Sequence, residues 1–379
     1  MKVKIGIPRG LFFFQYYPLW KVFLEELGLE VIVSDKTNKK IMNEGVERCV
    51  DGACLPVKVF HGHVENLIDR VDCLFIPRFT SVTRKEYVCP KFGGLPDMIR
   101  NSFTGLPEII DTEVNLRESK KNAIKSAIEI GEYFTRDKEK IRKAYEKALG
   151  VYRQFRMGLK ADSAPDEIWE NCDDCIAKCK MKCEIQRNES GTAIRTGMEN
   201  NAETWPGIKS NRGITSNTGM QPGRNVPRIL LIGHCYNLYD RYVNMNIIGK
   251  LKKLGTEIIT IDMINGQVIC EKSALLHKRM FWFFGTKAMG TVFHVLDRDD
   301  ISGIIYVMSF GCGIDSFVCD LAERIIRRNK DIPFIVLTID EHSGEAGLNT
   351  RLEAFVDMIK WRNVNEGNFS AYGESVYLH

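Results

Sequence analysis

No uninterrupted apolar run in these 379 residues approaches the roughly 20 that a membrane-spanning helix needs, so no bilayer span is expected. Charge of one sign is equally scarce. The 53 Lys+Arg stand against 49 Asp+Glu, a formal net charge of +4 spread over both halves. Such a balance offers no concentrated basic stripe, which excludes nucleic acid as a main partner. A GxxxxGK[ST] phosphate loop is missing, as is any glycine-rich acidic phosphate motif, so ATP hydrolysis is expected to belong to another chain. The start, MKVKIGIPRG, places two lysines before apolar residues as a secretory signal does, but Pro8 and Arg9 interrupt it and no small-residue cleavage site follows. It reads as a strand and a turn, and the chain is expected to stay in the cytoplasm.

What is present is a globular balance, 44% hydrophobic and 27% charged, in a length that suggests two domains, each able to bury a core without staples. The first part alternates short apolar runs with helical patterns: VKIGIP, PLWKVFLEELG, LEVIVSD, a helical stretch to Asp69, CLFIPRF and EIIDTEV. A long charged helix is expected over residues 120–160. The second half repeats the grammar with RILLIGH, a helix over YDRYVNMNIIGKLKKLG, TEIITID, GIIYVMS, a helix over DSFVCDLAERIIRR, PFIVLTID and a final helix. The expected fold class is therefore α/β, with two doubly wound parallel sheets. The division expected is an N-terminal α/β domain over 1–118, a helical segment with a cysteine-rich end over 119–185, a flexible insertion rich in Gly, Asn, Ser and Thr over 186–226, and a C-terminal α/β domain over 227–379. The halves also align loosely, IGIPRG with LIGHCY and CLFIPRFTS with IIYVMSFGC, so an internal repeat is expected; convergence of generic β-α patterns explains the likeness equally well.

Twelve cysteines are the anomaly, because disulfides rarely persist in a reducing cytosol and a chain this long does not need them. Metal or redox chemistry is the expectation for some, and burial as small hydrophobes for the rest. In parallel sheets ligands bind beyond the carboxyl ends of the strands. Cys89 (in CPKFGG) and Cys312 (in FGCG) follow the third strand of each half, and Cys54 (in ACLPVK) starts a helical segment whose positive amide end favours a thiolate. Three cysteines from three loops leave one corner of a cubane open to substrate, water or sulfide.

These residues carry a resemblance. IGIPRGLFFFQYYPLWKVFLEELG, DGACLPVKVFHGHV, CPKFGGLPDMIR, GHCYNLYD, SFGCGIDS and TIDEHSGEAGLNTRLEAFVDM resemble the 2-hydroxyacyl-CoA dehydratase and CoA-enzyme activase-related superfamily, in particular its activase-associated domain and the double-cubane-cluster proteins. The resemblance covers about 1–115 and 227–365 and leaves out 170–225. It implies two Rossmann-like domains with a [4Fe–4S] or double-cubane cluster in the cleft between them, held at the matching positions Cys54, Cys89 and Cys312. It further implies an oxidoreductase or dehydratase-like protein of anaerobic metabolism, reduced by an ATP-hydrolysing activase-type partner and passing electrons to a small-molecule substrate; a homodimer is also expected. A non-catalytic cluster scaffold and a zinc-stabilised binding protein are the rival expectations. Cys235 stands where proline is expected in a GHPYN-like motif. Cys49, Cys73, Cys270 and Cys319 are expected as buried thiols.

Cys172, Cys175, Cys179 and Cys183, in CDDCIAKCKMKC, would lie along one helix face with the first and last roughly 16 Å apart, so one tetrahedral site would require the helix to break. A cluster or zinc site, a metal-free stripe against a neighbour and redox-reactive surface thiols all stay open. His61 and His63 are candidates to orient or protonate a group near Cys54, or are buried and satisfied by backbone carbonyls. At the last strand end, Asp340, Glu341, His342 and Glu345 form an acid–histidine group, with His342 and Glu345 as catalytic candidates. Arg9 and Arg78 each follow a strand-end proline and suit either an anion or a carboxylate partner.

Overall fold

The computed structural model describes residues 2–119, 121–160, 165–190 and 226–366. Most of the expected insertion, residues 191–225, lies outside the described residues.

The first half runs β1 (Lys4–Ile7), α1 (Phe13–Glu26), β2 (Glu30–Val33), α2 (Lys39–Arg48), α3 (Leu55–Glu65), β3 (Cys73–Phe75), β4 (Arg78–Ser81), α4 (Pro90–Ser102), β5 (Glu108–Ile110) and β6 (Glu113–Asn115). Helices α5 (Asn122–Glu132), α6 (Lys138–Lys160), α7 (Pro165–Glu170) and α8 (Cys172–Ser190) follow. The second half runs β7 (Arg228–Gly233), α9 (Cys235–Tyr239), α10 (Ile247–Lys253), β8 (Glu257–Thr260), α11 (Gly266–Ser273), α12 (Phe283–Leu296), β9 (Gly303–Ser309), α13 (Gly313–Asn329), β10 (Phe334–Ile339) and α14 (Glu345–Glu366).

Two four-stranded parallel sheets result, ordered β2-β1-β3-β5 and β10-β9-β7-β8. Counted within each sheet, and starting the second from its β8 edge, both orders are second, first, third, fourth. Sharing one order, the two sheets favour the internal repeat over mere convergence of patterns. The central strands are apolar on both faces, Ile5 and Ile7 in one sheet and Ile229 to Ile232 in the other being fully buried, as strands covered by helices on both sides must be.

Several elements differ from the sequence expectation for identifiable reasons. CLFIPRF and EIIDTEV each break in two, because the chain leaves the main sheet after Phe75 and Ile110 and re-pairs as the small parallel sheet β4-β6. The expected helix over 120–160 is two helices. Asp137 Oδ1 accepts the amides of Glu139 and Lys140, both at 3.0 Å, and so starts α6 afresh; Gly131 of α5 leaves room for the Ile141 side chain at that corner. The helix expected over 239–255 is interrupted by left-handed Met245 and Asn246. The side chains of Asp240 and Asn244 satisfy the loose backbone there, Asp240 Oδ1 accepting from Tyr242 and Val243 and Asn244 donating to the carbonyls of Asn237 and Leu238.

One close contact sets the position of α3. An added Cβ on Gly45 of α2 would overlap the Lys58 carbonyl, and one on Gly62 of α3 would overlap the Ile41 carbonyl. The two backbones can approach this closely only because both positions are glycine. Asn38 caps α2, its Oδ1 accepting from Lys40 and Ile41 at 2.9 and 3.1 Å.

Candidate metal centre

Cys54, Cys89 and Cys312 occupy equivalent local positions: each is the residue immediately before a helix, α3, α4 and α13 respectively. Pro56 and Pro90 sit in the first turns of two of these helices, where a missing amide costs nothing. None of the three side chains caps its own helix, so the thiols stay available beside free N-terminal amides, whose partial positive charge favours thiolates. The halves meet at these positions. Gly311, left-handed at φ 76°, lies against Cys54: a Cβ there would be 3.4 Å from the Cys54 Cα. Burial pushes the Cys89 thiol pKa up, and the neighbouring Cys54 adds to the rise. Next to Cys89, the Tyr87 amide donates to the Phe281 carbonyl at 3.1 Å and the Phe283 amide to the Tyr87 carbonyl at 2.8 Å, a short bridge to the second half.

A second set shares Cys312. His234 precedes α9 at the end of β7, and Asp315 lies in the first turn of α13; one donor atom from each of His234, Cys312 and Asp315 falls within 4.8 Å of the others. His234 and Asp315 are both buried. His234 Nε2 is 3.0 Å from Asp315 Oδ2, close enough for an ion pair, yet the approach is off the hydrogen-bond axis, so both ring nitrogens and Oδ2 lack a hydrogen-bond partner. Buried polar atoms left this way are costly unless another group completes them. Burial opposes the imidazolium, but Asp315 and then Cys312 outweigh it and raise the His234 pKa to about 10. Tyr306 donates to Asp315 Oδ1 at 3.0 Å, fixing that carboxylate. His234 is packed between Tyr236, stacked at 4.9 Å, and Phe284, edge-on at 4.1 Å.

His234 and Asp315 were not among the residues singled out from sequence. Asp315 sits one helical turn after Cys312 in GCGID and so projects on the same side, and His234 stands at the strand end that GHCYN marks; both signals were available in the motifs.

The other sequence candidates fall elsewhere. His63 is fully buried between hydroxyls, Nδ1 2.9 Å from Ser34 Oγ and Nε2 3.0 Å from Thr37 Oγ1, and burial, aided by Arg9, lowers its pKa to about 3. His61 donates from Nδ1 to the Val57 carbonyl at 2.8 Å; burial lowers its pKa as well. Its Nε2 is buried without a partner. His342 is exposed. Glu345 is exposed and pairs with Lys250 at 2.8 Å. Of the strand-end group only Glu341 reaches inward, pairing with the buried Lys58 of α3. Arg78 is committed to Asp97 and Asp111. Arg9 has no carboxylate within ion-pair distance among the described residues. Its guanidinium lies over the Phe13 ring, and Nη2 is 4.0 Å from Cys172 Sγ, beside a cavity of about 340 Å³.

Cys172, Cys175, Cys179 and Cys183 all lie on the unbroken α8. Cys172 is buried there and the other three are partly so. Cys235 is buried with its thiol 3.9 Å from Gln15 Oε1, and burial raises its pKa to about 12. Cys49, Cys73 and Cys319 are buried as expected, whereas Cys270 is exposed on α11, whose apolar side ends at Ile269.

The fold and this donor set define a two-sheet α/β protein with a cysteine-rich strand-end region and a candidate His–Cys–Asp metal site. The chain belongs to the family described as CoA enzyme activase uncharacterised domain, which matches residues 4–264. The match includes Cys54, Cys89 and His234, ends before Cys312 and Asp315, and runs across residues 170–225, which the sequence resemblance had left out. No curated protein matches the chain. Among the described residues no helix is long and apolar enough to cross a membrane.

Proposed function

We propose that this chain is the iron–sulfur electron-transfer or reductase component of an ATP-driven system, its cluster held by Cys54, Cys89 and Cys312. What supports this reading is that all three cysteines, from both halves, stand immediately before helices, with Gly311 beside Cys312 packed against Cys54 and Cys54 close enough to Cys89 to raise its pKa. The donor chemistry fits: thiols beside helix N-termini suit thiolate ligation, and three of them leave one position open. When bound, such a cluster supplies one-electron transfer at low potential. The protein's own contributions are separate: Tyr236 and Phe284 screen the site from water, and His234, held beside Asp315, keeps a proton at a ring nitrogen next to Cys312.

The activase family and the missing phosphate loop support a separate ATP-hydrolysing activator as partner. Val50, Phe310 and Phe317, 68%, 64% and 62% exposed, lie near Cys54 and Cys312 in sequence and are the apolar side chains we assign to docking of that activator. A second reading rests on the His234–Cys312–Asp315 set: a mononuclear zinc site with three protein ligands and one open position.

Iron, sulfide and zinc analysis of anaerobically purified protein decides between them. About four irons per chain, lost in Cys54→Ser, Cys89→Ser and Cys312→Ser alike, supports the cluster, and about eight a double cubane. Zinc without iron, lost only on substitution of His234, Cys312 or Asp315, supports the second reading. Full iron in all three cysteine variants would refute the ligand assignment. Reduction by a low-potential donor only with ATP and the activator present tests the partner, and substrate-dependent reoxidation separates a reductase from a cluster scaffold.

A further inference from the structure

Away from the three cysteines, a recess opens at the carboxyl end of β8. Arg156 and Lys160 reach it from the end of α6, Lys287 from the start of α12, and Asp262 from the residues after β8. Its enclosed part measures about 40 Å³, room for a group of three or four heavy atoms. Among the described residues its lining carries three cations, Arg156, Lys160 and Lys287, and two carboxyls, Glu86 and Asp262. Asp262 is fully engaged: Lys287 Nζ lies 2.6 Å from Oδ1, Arg156 Nη1 lies 3.6 Å from the same oxygen, and Tyr239 donates to Oδ2 at 2.9 Å.

Glu86, the other carboxyl on the wall, is already engaged: it accepts from Thr83 at 2.8 Å and lies 3.7 Å from Arg279, and burial raises its pKa. Lys160 is left with no ion pair or hydrogen bond among the described residues. Burial, then Arg156 and Lys287, lowers its pKa, the direction expected of an ammonium that lacks a counter-charge. The remaining wall is apolar: Ile261, Ile264, Ile269 and Phe283.

We propose that this recess binds the carboxylate of a small organic acid, its oxygens held by Lys160 with Lys287 and Arg156 and its short apolar end lying against Ile264, Ile269 and Phe283. Inorganic phosphate suits the recess less well, because the apolar wall would strip water from oxygens without replacing the lost hydrogen bonds. The assignment does not depend on which metal, if any, the cysteines hold.

Calorimetric titration of the purified full chain with butyrate, and separately with inorganic phosphate, tests it. Butyrate should saturate a single site and raise the thermal midpoint. Lys160→Gln should weaken binding by about tenfold or more, the loss expected for a charge-assisted hydrogen bond. Lys160→Arg should stay within a few-fold of the parent. Since Lys160 gives up no partner, Lys160→Gln should fold with an unliganded midpoint no lower than the parent's. Absence of saturable butyrate binding, equal binding by Lys160→Gln, or phosphate binding as tightly as butyrate would each overturn the proposal.

Discussion

Asp240→Asn should stabilise the protein near neutral pH and not at pH 4. Asp240 is buried at the junction between the halves, where Oδ1 accepts the Tyr242 and Val243 amides and Oδ2 accepts the Thr37 hydroxyl. Burial outweighs these hydrogen bonds and the attraction of Arg9, and raises its pKa from the ordinary 3.8 to about 6. The folded protein therefore holds this proton more tightly than the unfolded chain. Below about pH 4 the carboxyl is protonated in both states and costs nothing; as pH rises through 6 the folded state must ionise a buried group. The rise in pKa corresponds to about 3 kcal/mol lost above pH 6.

Asparagine does not titrate and keeps the shape, so the variant avoids this penalty. Its amide can donate to Thr37 Oγ1, whose hydroxyl then donates to His63 Nε2, and His63 Nδ1–H donates to Ser34; the Thr37–His63–Ser34 chain reverses its direction without losing a bond. Any fixed cost of that reversal is independent of pH, and carboxylates such as Asp300, lowered to about 2, titrate alike in both proteins and cancel in the difference. Urea unfolding of parent and variant at half-unit steps from pH 4 to 7.5 measures the effect. The stability difference should grow by about 3 kcal/mol in the variant's favour, mostly between pH 4 and 6, and then level off. A difference flat across that range, or one favouring the parent as pH rises, would refute the assignment of a raised pKa to Asp240. Nitrogen chemical shifts of His63 should show its proton moving from Nε2 to Nδ1 in the variant.

Three further outcomes are expected. Gly62→Ala should cost about 1–3 kcal/mol or more in denaturant unfolding, because the new methyl meets the Ile41 carbonyl rather than a movable side chain, and it should also lower metal content by shifting α3 and Cys54. Glu341→Gln should destabilise by about 3 kcal/mol by leaving the Lys58 ammonium buried and unpaired, and Lys58→Met with Glu341→Gln should recover most of that loss in a double-mutant cycle. In metal-free protein probed with iodoacetamide and read by peptide mass spectrometry, the exposed Cys270 should alkylate first and Cys235 and Cys319, with pKa values raised to about 12 by burial, last.

What the sequence determined by itself is the local grammar. Runs such as RILLIG and GIIYVMS are short with continuous apolar centres, which makes them strands buried on both faces. Proline follows Cys89 directly and Cys54 after one residue, which marks a helix start and puts both cysteines at N-termini wherever the helices pack. The strand ends then follow from chain order, because parallel strands with crossovers bring all their carboxyl ends to one side. What only the tertiary structure decided are matters of distance between segments remote in the chain. Nothing local reveals that Asp315 would face His234, that Gly45 and Gly62 would bring two backbones into contact, or that Lys160 would end in one recess with Arg156 and Lys287. The cysteines of α8 show the same divide: their spacing allowed a loop or a helix, and the packing made it a helix with Cys172 buried beside Arg9. Local pattern selects the element through backbone preference, whereas burial, charge balance and pKa depend on neighbours that only the completed packing supplies.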